Sequence, residues 1–191
     1  MAGDWLAERR GDVAAEKILD AAEELFTRHG AASVGMNEIA KASGCSRATL
    51  YRYFENRDAL YIAYVHREAH RVFRELGETL SRTADPGAQL VEGIIASLSQ
   101  VRQSPALSSW FVPDQRPIGG ELAERSEVIK ARTEAFLAAL GVDDVEKRAR
   151  WLVRVMVSLL VFPGQDEADE RATLEEFVLP VIISAQARRP R

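Results

Sequence analysis

Apolar residues recur at three- and four-residue steps along almost the whole chain, and this spacing is the feature that most limits how it can fold. Such spacing places apolar side chains on one face of an α-helix, whereas a half-buried strand needs strict alternation of apolar and polar residues. Runs of Val, Ile and Thr in strict alternation are absent. The sequence therefore predicts an all-α protein with about nine helices.

The composition is that of a globular protein and gives no sign of a membrane span. The 191 residues, 47% of them hydrophobic, suffice for one sizeable core or for a small domain joined to a larger one. Arg154, Ser158 and Pro163 interrupt the most apolar region, so it is too short to cross a bilayer. The amino-terminal segment lacks an apolar leader, and Cys45 is the one cysteine. We therefore expect a cytoplasmic protein without a disulfide.

Residues suited to helix ends delimit three helices near the amino terminus. Gly30 is placed to end a first helix over 12–29. Gly35 precedes a short helix over 36–42, and Ser46 is placed to cap a second short helix. The chain between the two short helices has the composition of a turn. The sequence thus predicts two short helices set at an angle to each other.

A long helix follows and suggests where the chain divides. Asn56 is placed to cap a helix over 57–82, whose apolar residues form one stripe. This helix could connect two subregions. The sequence predicts a domain at 1–56, with a flexible arm at 1–11, and a second helical domain at 57–191.

Positive charge is concentrated in one short window of an acidic chain. The net charge is −4, from 25 Lys and Arg residues against 29 Asp and Glu residues. The window contains Lys41, Arg47, Arg52 and Arg57, with Glu55 as its one acidic residue. This balance argues against a protein whose whole surface coats nucleic acid, but it allows a local basic patch.

The two short helices and the turn between them have the organisation of a helix-turn-helix, which places its second helix in the DNA major groove. Leu50 and Phe54 must face inward on that helix, so its polar side chains point outward together. Arg47 is our candidate base reader, because a guanidinium is well shaped to pair with guanine. We expect Arg57 to contact phosphate. The predicted DNA-contacting residues are Asn37, Ser46, Arg47, Thr49, Tyr51, Arg52, Tyr53 and Arg57.

Several short motifs follow one another from Ile18 to Leu60. They are Ile18-Leu19-Asp20-Ala21-Ala22, Leu25-Phe26, Gly30, Ile39-Ala40, Gly44-Cys45-Ser46, Thr49-Leu50-Tyr51-Arg52-Tyr53-Phe54 and Arg57-Asp58-Ala59-Leu60. In this order and spacing they resemble the DNA-binding domain of a TetR-family transcriptional regulator. The remaining two thirds of the chain resemble the family only in architecture.

This resemblance implies three N-terminal helices that bind DNA, followed by helices that enclose a ligand pocket and two last helices that dimerise. It implies a homodimer on a pseudo-palindromic operator, and a repressor that a small-molecule effector releases from double-stranded DNA. Three positions depart from the family's pattern. Gly35 stands where a hydroxyl residue is usual, Cys45 where a branched aliphatic residue is common, and Arg57 where lysine is more frequent.

Two apolar sets in the C-terminal region are expected to form an effector pocket and a dimer interface. Helix phase and the Pro- and Gly-broken stretch 104–120 place the pocket among Phe73, Ile94, Leu98, Leu107, Trp110, Phe111, Phe136, Trp151, Val155, Met156 and Leu159. A second apolar face of the helix over 143–162, and a last helix with a predicted kink at Pro180, place the interface among Val153, Val157, Leu160, Leu174, Phe177, Val178, Val181 and Ile182. The apolar character of the first set favours a mostly hydrophobic effector.

Two other classes of function compete with a DNA-binding regulator. The sequence lacks a glycine-rich phosphate loop, a His-Glu-x-x-His motif and a Gly-x-Ser-x-Gly motif, so we do not expect an enzyme. We expect no cofactor and no metal site, because His66 and His70 have ligand spacing but no further ligands complete a site. A helical protein-interaction module without DNA binding is the alternative, since the chain as a whole is acidic.

Overall fold

The chain is helical throughout the part that the structure, a computed structural model, describes, namely residues 5–80, 85–112 and 118–183. Its helices are α1 (Trp5–His29), α2 (Met36–Ala42), α3 (Arg47–Tyr53), α4 (Arg57–Leu80), α5 (Pro86–Gln103), α6 (Pro105–Ser108), α7 (Ile118–Arg125), α8 (Glu127–Ala139), α9 (Val145–Val161), α10 (Glu167–Thr173) and α11 (Leu179–Ile182). A 3-10 turn (Ala31–Ser33) precedes α2, and a π-helical turn (Leu174–Val178) joins α10 to α11. Of these described helices, none has both the length and the apolar character needed to cross a membrane. The predicted all-α class is confirmed.

The first helix corrects the predicted flexible arm. α1 begins at Trp5, so residues 5–11 are helical, while residues 1–4 of the predicted arm lie outside the described part of the chain. Residues 6–10 are Leu, Ala, Glu and Arg, all strong helix formers. Gly11 inside a helix costs only about 1 kcal/mol relative to alanine, which is too little to end α1 there.

Side-chain caps begin several of the helices. Ser46 and Asn56 each accept a hydrogen bond from the backbone N–H three residues further on, at 3.0 and 2.8 Å, as the sequence predicts. Ser126 caps α8 in the same way at 3.2 Å and so separates α8 from α7. This extra helix boundary, together with the short α6, gives the described part of the chain more helices than the nine or so predicted.

An aromatic cluster lies at the centre of the N-terminal core. Phe26 of α1 meets Tyr61 and Tyr64 of α4 and Trp110, which follows α6, with ring centroids 5.1–5.2 Å apart and ring planes nearly perpendicular. Edge-to-face pairs of this kind contribute about 0.5–1.5 kcal/mol each beyond their burial. Because Trp110 belongs to this cluster, the N-terminal core extends beyond the predicted domain at 1–56.

The C-terminal core is mainly aliphatic and is built around α5, which contacts α4, α9, α10 and α11. Its buried residues are Leu90, Val91, Ile94, Ile95, Leu98, Leu137, Leu140, Val142, Ala149, Leu152, Leu174, Val178 and Ile182. A buried carboxylate lies beside it. Glu170 accepts two hydrogen bonds from Arg102, at 2.6 and 2.8 Å, and one from the Gly164 N–H at 3.0 Å. The ion pair ties α10 to α5.

The last helical segment changes its hydrogen-bond pattern before a proline. The Leu179 N–H donates to the carbonyl of Leu174, five residues earlier rather than four. Pro180 follows and has no N–H to donate, so the α-helical ladder is already incomplete at this point. Where the sequence analysis predicts a kink at Pro180, the structure shows a π-helical turn immediately before it.

Candidate nucleic-acid interface and adjoining cavity

α2, the turn after it and α3 form a helix-turn-helix unit. Gly44 has a φ of +69°, a left-handed conformation that costs glycine little, and it reverses the chain between the two helices. The Cys45 N–H donates to the carbonyl of Ala40 at 3.1 Å and closes the turn. Ile39 of α2 and Leu50 of α3 are fully buried, and both helices contact α1. The unit is therefore held in a fixed orientation on α1.

The outer face of α3 carries the polar side chains with which we expect it to contact DNA. Arg47, Tyr51 and Arg52 are exposed, whereas Tyr53 is half-buried. The Arg47 guanidinium lies 6.0 Å from the centre of the Tyr51 ring, and that of Arg52 lies 5.3 Å from the Tyr53 ring. Such cation–π contacts favour extended arginine side chains lying along the aromatic rings. Two positive charges thus stand on the side of α3 that faces away from the core.

The other predicted contact residues lie at the starts of α2 and α3. Asn37 is exposed in the first turn of α2. The Ser46 and Thr49 hydroxyls lie 2.9 Å apart, so one donates to the other and one proton stays available. A hydroxyl proton of this kind can be donated to an outside acceptor, and phosphate oxygens are the commonest acceptors in protein–DNA contacts.

The sequence predicts that Arg57 contacts phosphate, but in the structure its guanidinium binds the protein backbone. One terminal nitrogen of its guanidinium donates to the carbonyls of Ala31 and Ala32, at 3.1 and 2.8 Å, and the guanidinium lies 4.8 Å from the Tyr61 ring. The Tyr61 hydroxyl lies 2.7 Å from the Ala31 carbonyl and 2.8 Å from that of Val34. α4 therefore holds the turn before α2, and Arg57 positions the helix-turn-helix unit through that turn.

A mostly apolar cavity of about 140 Å³ lies among α4, α5, α7, α8 and α9. The predicted pocket residues that line it are Phe73, Leu107, Trp110, Phe111 and Met156. The polar residues on the wall include Glu68, Ser97 and Thr133. The two hydroxyls donate to carbonyls of their own helices, at 2.7 and 2.8 Å. Their protons are therefore already engaged within the protein.

Several residues predicted for this pocket do not line the cavity. They are Ile94, Leu98, Phe136, Trp151, Val155 and Leu159. The first two are buried in the C-terminal core, and Phe136 lines a separate groove between α4 and α8. The wall residues that the sequence analysis omits include Val65, Ala69, Val72, Val101 and Ile129. The first three recur at three- and four-residue steps along α4, a signal that core packing explains equally well.

α9 has two apolar faces, and the structure reverses the predicted assignment of several of their residues. Val153, Val157 and Leu160, predicted for the dimer interface, line the cavity. Trp151, predicted for the pocket, is 39% exposed. Periodicity shows that both faces are apolar, but it does not show what covers each of them.

The interface residues predicted near the end of the chain also fall into a buried set and an exposed set. The predicted interface residues that are buried in the chain's own core are Leu174, Val178 and Ile182. Phe177 and Val181 are 61% and 53% exposed, and Phe162, just after α9, is 71% exposed. Arg148 of α9 donates to the carbonyl of Ile182 at 2.8 Å, so α9 and α11 are neighbours. We call Trp151, Phe162, Phe177 and Val181 the outer apolar surface.

The segment after α6 joins the cavity to the helix-turn-helix unit. Trp110 lines the cavity and also packs on Phe26 of α1. The neighbouring Ser109 hydroxyl accepts a hydrogen bond from the Ala31 N–H at 3.1 Å. Ala31 begins the turn before α2. One short segment thus contacts the cavity on one side and, on the other, α1 and the turn that leads into the helix-turn-helix unit.

A network of charged groups also connects α4 to α1. Arg67 donates to Asp20 and Glu23 of α1, both at 2.7 Å. Glu68, on the cavity wall, lies 3.3 Å from Arg67 and 2.5 Å from Arg71. Burial raises the pKa of the Glu68 carboxyl, and the positive charge of Arg71 offsets part of this rise. A carboxylate whose charged form is disfavoured therefore stands between the cavity and the α1–α4 network.

Proteins of similar sequence are bacterial transcriptional regulators. The model of bacterial regulatory proteins of the tetR family matches residues 18–64. An uncharacterized HTH-type transcriptional regulator of Mycobacterium tuberculosis is 57% identical over 191 residues, an alignment that covers 98% of this chain and 95% of that protein. The likeness therefore extends over both the DNA-binding unit and the helices that enclose the cavity.

Solved structures share the fold. The TetR family repressor AlkX from Dietzia sp., implicated in biodegradation of n-alkanes, matches with a TM-score of 0.65 at 24% identity, over 87% of this chain and 94% of that one. FadR from Thermus thermophilus, in complex with lauroyl-CoA, matches with a TM-score of 0.64 at 23% identity, over 93% of this chain and 99% of that one. At these identities the likeness concerns the fold alone.

Proposed function

This chain belongs to the TetR family of bacterial regulatory proteins, and from this premise we propose that it is a homodimeric repressor that a small, mostly apolar effector releases from its operator. A member of this family is a DNA-binding transcriptional regulator and not an enzyme. The proposal places the protein in the cytoplasm, where its DNA target lies. It also assigns separate surfaces to DNA, to the second copy and to the effector.

The exposed arginines of α3 carry the proposal. Leu50 and its neighbours fix α3 against α1, so the outward direction of Arg47 and Arg52 is set by the core. Recognition helices read bases with their N-terminal residues, and Arg47 is the first residue of α3. A good bidentate pair with guanine contributes about 1–3 kcal/mol of discrimination. We assign base reading to Arg47 and phosphate contacts to Arg52, Tyr51 and Thr49.

The outer apolar surface supports the homodimer. Its four large apolar side chains are exposed on α9, just after α9 and within the segment Leu174–Ile182, and exposed apolar surface of this kind favours an interaction site. Pairing through a two-fold axis buries the same surface of both copies. Such a dimer would present two copies of α3 to successive major grooves about 34–36 Å apart. A pseudo-palindromic operator follows from this symmetry.

The cavity and the segment after α6 support control by an effector. A ligand weakens DNA binding when it favours a conformation with lower DNA affinity, such as one in which the two recognition helices are wrongly separated. Trp110 and Ser109 connect the cavity wall to Phe26 and Ala31, which lie directly before the helix-turn-helix unit. We propose that filling the cavity moves this segment, and with it the turn before α2.

Fluorescence anisotropy with DNA flanking the gene, compared with random DNA at two salt concentrations, tests the proposal. Arg47→Ala should reduce discrimination between the two DNAs by about tenfold or more, because it removes a base contact. Arg150→Ala removes the same charge from an exposed position on α9 and should leave discrimination unchanged. Equal discrimination by Arg47→Ala and the parent would contradict the base-reading assignment. Absence of DNA binding at low salt would favour the interaction module instead.

Sedimentation analysis tests the homodimer separately. Phe177→Asp places a charge on the outer apolar surface and should convert the dimer to a monomer at micromolar concentration, since an unpaired buried charge is costly. Val13→Asp makes the same kind of change at an exposed apolar residue of α1 and should leave the dimer intact. If both variants sediment as dimers, the interface lies elsewhere.

A further inference from the structure

The cavity presents almost only carbon to a molecule that occupies it. Its wall includes aliphatic side chains such as Val72 of α4 and Leu160 of α9, together with the rings of Phe73 and Phe111. Moving apolar surface from water into such a site is favourable in proportion to the area that is buried. The wall therefore selects for apolar surface on the ligand.

The polar groups nearest the cavity are already paired within the protein or do not reach it. The Ser97 and Thr133 hydroxyls donate to carbonyls of their own helices, at 2.7 and 2.8 Å. The Gly119 N–H, in the first turn of α7, donates to the carbonyl of Trp110 at 3.0 Å. The indole nitrogen of Trp110 is itself buried, so it is not available to a ligand. A polar group on the ligand would thus lose its hydrogen bonds to water without replacing them.

Glu68 makes the wall unsuitable for an ion of either sign. It is 3% exposed and forms ion pairs with Arg67 and Arg71. An anionic ligand would lie beside a carboxylate, and a cationic ligand would compete with two arginines for it. Transfer of an unpaired ion from water to an apolar site is costly. The wall therefore favours a neutral ligand.

The size of the cavity limits the ligand to about one ring. Its volume is about 140 Å³. Apolar cavities of about 150 Å³ accept benzene, whereas pockets for drug-sized ligands measure about 300–1,000 Å³. A long acyl chain or a fused ring system exceeds this space, while a single ring with a small alkyl group fits it.

We propose that the effector is a neutral hydrocarbon of about one ring, without a hydrogen-bonding group. This inference rests on the proposed function, because it names the chemical class of ligand for the same cavity. Buried apolar area holds the ligand, and no polar anchor fixes its orientation. Selectivity then depends on size and on the rejection of polar groups, which find no partner on the wall.

Calorimetric binding of toluene and phenol tests the rejection of polar groups. The two molecules have nearly the same shape and differ by a methyl group in place of a hydroxyl. Toluene should bind at least about tenfold more tightly, because the hydroxyl of phenol would be buried without a partner. Phenol binding as tightly as toluene would overturn the proposal.

Thr133→Val tests for a polar anchor on the wall itself. It replaces the hydroxyl by a methyl group at nearly constant volume. Since the hydroxyl is bonded within α8, this change should alter the affinities for toluene and phenol by less than about twofold. A loss of phenol binding alone would show that Thr133 anchors a polar ligand, and this would overturn the proposal.

A cavity-filling substitution tests where toluene binds. Ala69 lines the cavity, so the three extra carbons of Ala69→Leu should occupy the space and weaken toluene binding at least about tenfold. Ala131→Leu makes the same change at an exposed position of α8 and should leave the affinity unchanged. Equal toluene binding by the parent and by Ala69→Leu would overturn the proposal.

A methionine signal gives a test on the unaltered protein, which does not depend on the folding of Ala69→Leu. Met156 lines the cavity, whereas Met36 is buried in the N-terminal core. In a sample with ¹³C-labelled methionine methyl groups, the ring of bound toluene should shift the Met156 signal, and the Met36 signal should stay in place. Met156→Leu and Met36→Leu identify the two signals. An unshifted Met156 signal at saturating toluene would overturn the proposal.

The outcomes separate this inference from the function beneath it. If toluene does not bind at about 1 mM, the hydrocarbon class is wrong, while sequence-selective DNA binding in the anisotropy experiment would still support a regulator. If toluene binds in the cavity but the protein never discriminates between DNAs, the proposed function fails and the ligand site stands. Reduced operator binding on addition of toluene would support both.

Discussion

Glu68 and Glu170 are nearly identical in burial, yet the two regions that hold them shift their pKa values in opposite directions. The two side chains are 3% and 2% exposed, and each lies beside an arginine. The Arg102 hydrogen bonds hold the pKa of the Glu170 carboxyl below its ordinary value. Burial raises the pKa of the Glu68 carboxyl above its ordinary value, despite Arg71 and Arg67.

The difference lies in which effect is larger, because burial outweighs the arginines at Glu68, whereas the Arg102 hydrogen bonds outweigh burial at Glu170. Arg102 binds both oxygens of Glu170, and the Gly164 N–H adds a further hydrogen bond. Arg67, by contrast, also binds Asp20 and Glu23, so its positive charge is divided among several acids. Burial beside an arginine is therefore not enough to stabilise a carboxylate. In the C-terminal core, Glu170 has one arginine that binds both of its oxygens. In the network beside the cavity, carboxylates outnumber the arginines that bind them.

The largest loss of stability should come from removing Arg102, the arginine that binds both oxygens of Glu170. Arg102→Ala leaves Glu170 buried without its arginine, a change that costs about 3 kcal/mol, since breaking buried ion pairs costs about 3–5 kcal/mol and Arg102 is partly exposed. Urea unfolding at pH 7 and fixed protein concentration measures this loss. Arg171→Ala removes an arginine from a pair with the exposed Glu92 and should cost less than about 1 kcal/mol. Equal losses of unfolding free energy in the two variants would show that the Arg102 contact stabilises the protein no more than an exposed ion pair does.

A matched pair of conservative substitutions should destabilise the protein at Glu170 but not at Glu68. Glu170→Gln should lower the free energy of unfolding by about 2 kcal/mol at pH 7, because it weakens charge-assisted hydrogen bonds. Glu68→Gln should leave it unchanged or raise it, because the folded protein disfavours the charged form of Glu68. Urea unfolding of both variants beside the parent measures the contrast. Destabilisation of similar size by both would contradict it.

The pH dependence follows from the same two shifts. Glu170 has a lowered folded pKa, so its contribution is present above the ordinary glutamate pKa of about 4.3 and is lost as pH falls through the folded pKa. Glu68 has a raised folded pKa, so the protein gains stability as pH falls through that pKa towards the ordinary one. The deficit of Glu170→Gln should thus disappear in acid. Glu68→Gln should instead become less stable relative to the parent as pH falls, because the parent gains stability when Glu68 is protonated.

The smallest of these effects concerns the link between α4 and the turn before α2. Tyr61→Phe removes the hydroxyl that contacts the Ala31 and Val34 carbonyls and should cost about 1 kcal/mol. Because that turn precedes α2, operator affinity should fall as well, in the same anisotropy experiment. Tyr64→Phe removes a buried hydroxyl from the same helix face and should leave operator affinity unchanged, since the Tyr64 hydroxyl makes no hydrogen bond to the described turn. Equal operator affinities for the parent, Tyr61→Phe and Tyr64→Phe would contradict a link between α4 and the turn before α2.

The features that the sequence predicts well depend on neighbouring residues. The caps at Ser46 and Asn56, the positive φ of Gly30 and the turn at Gly44 follow from residues within one turn of the chain. The inward direction of Leu50 follows from the spacing of a short helix. Local hydrogen bonds and steric limits determine these features, so no knowledge of distant segments is needed.

The features that the sequence does not predict depend on distant partners. Arg57 binds carbonyls of the turn that ends 24 residues before it, and no periodicity marks them as its partners. The two apolar faces of α9 are alike in composition, so periodicity alone cannot assign Val153 to the cavity and Trp151 to the surface. The contacts of Arg67 and Ser109 are likewise not predicted from the sequence, because their partners lie in distant segments of the chain.

The π-helical turn before Pro180 makes the end of the chain tolerant of one change in length. Its hydrogen bond spans five residues rather than four, so it holds one residue more than an α-helical turn between the same flanking segments. Deleting one residue within Leu174–Val178 would therefore leave a regular α-helical turn and keep Val181 and Ile182 near their present surface and core directions. The same deletion in a regular α-helix would turn every later side chain of that helix by about 100° around its axis. Descendants of this gene can thus lose one codon at this place and keep the later part of the surface.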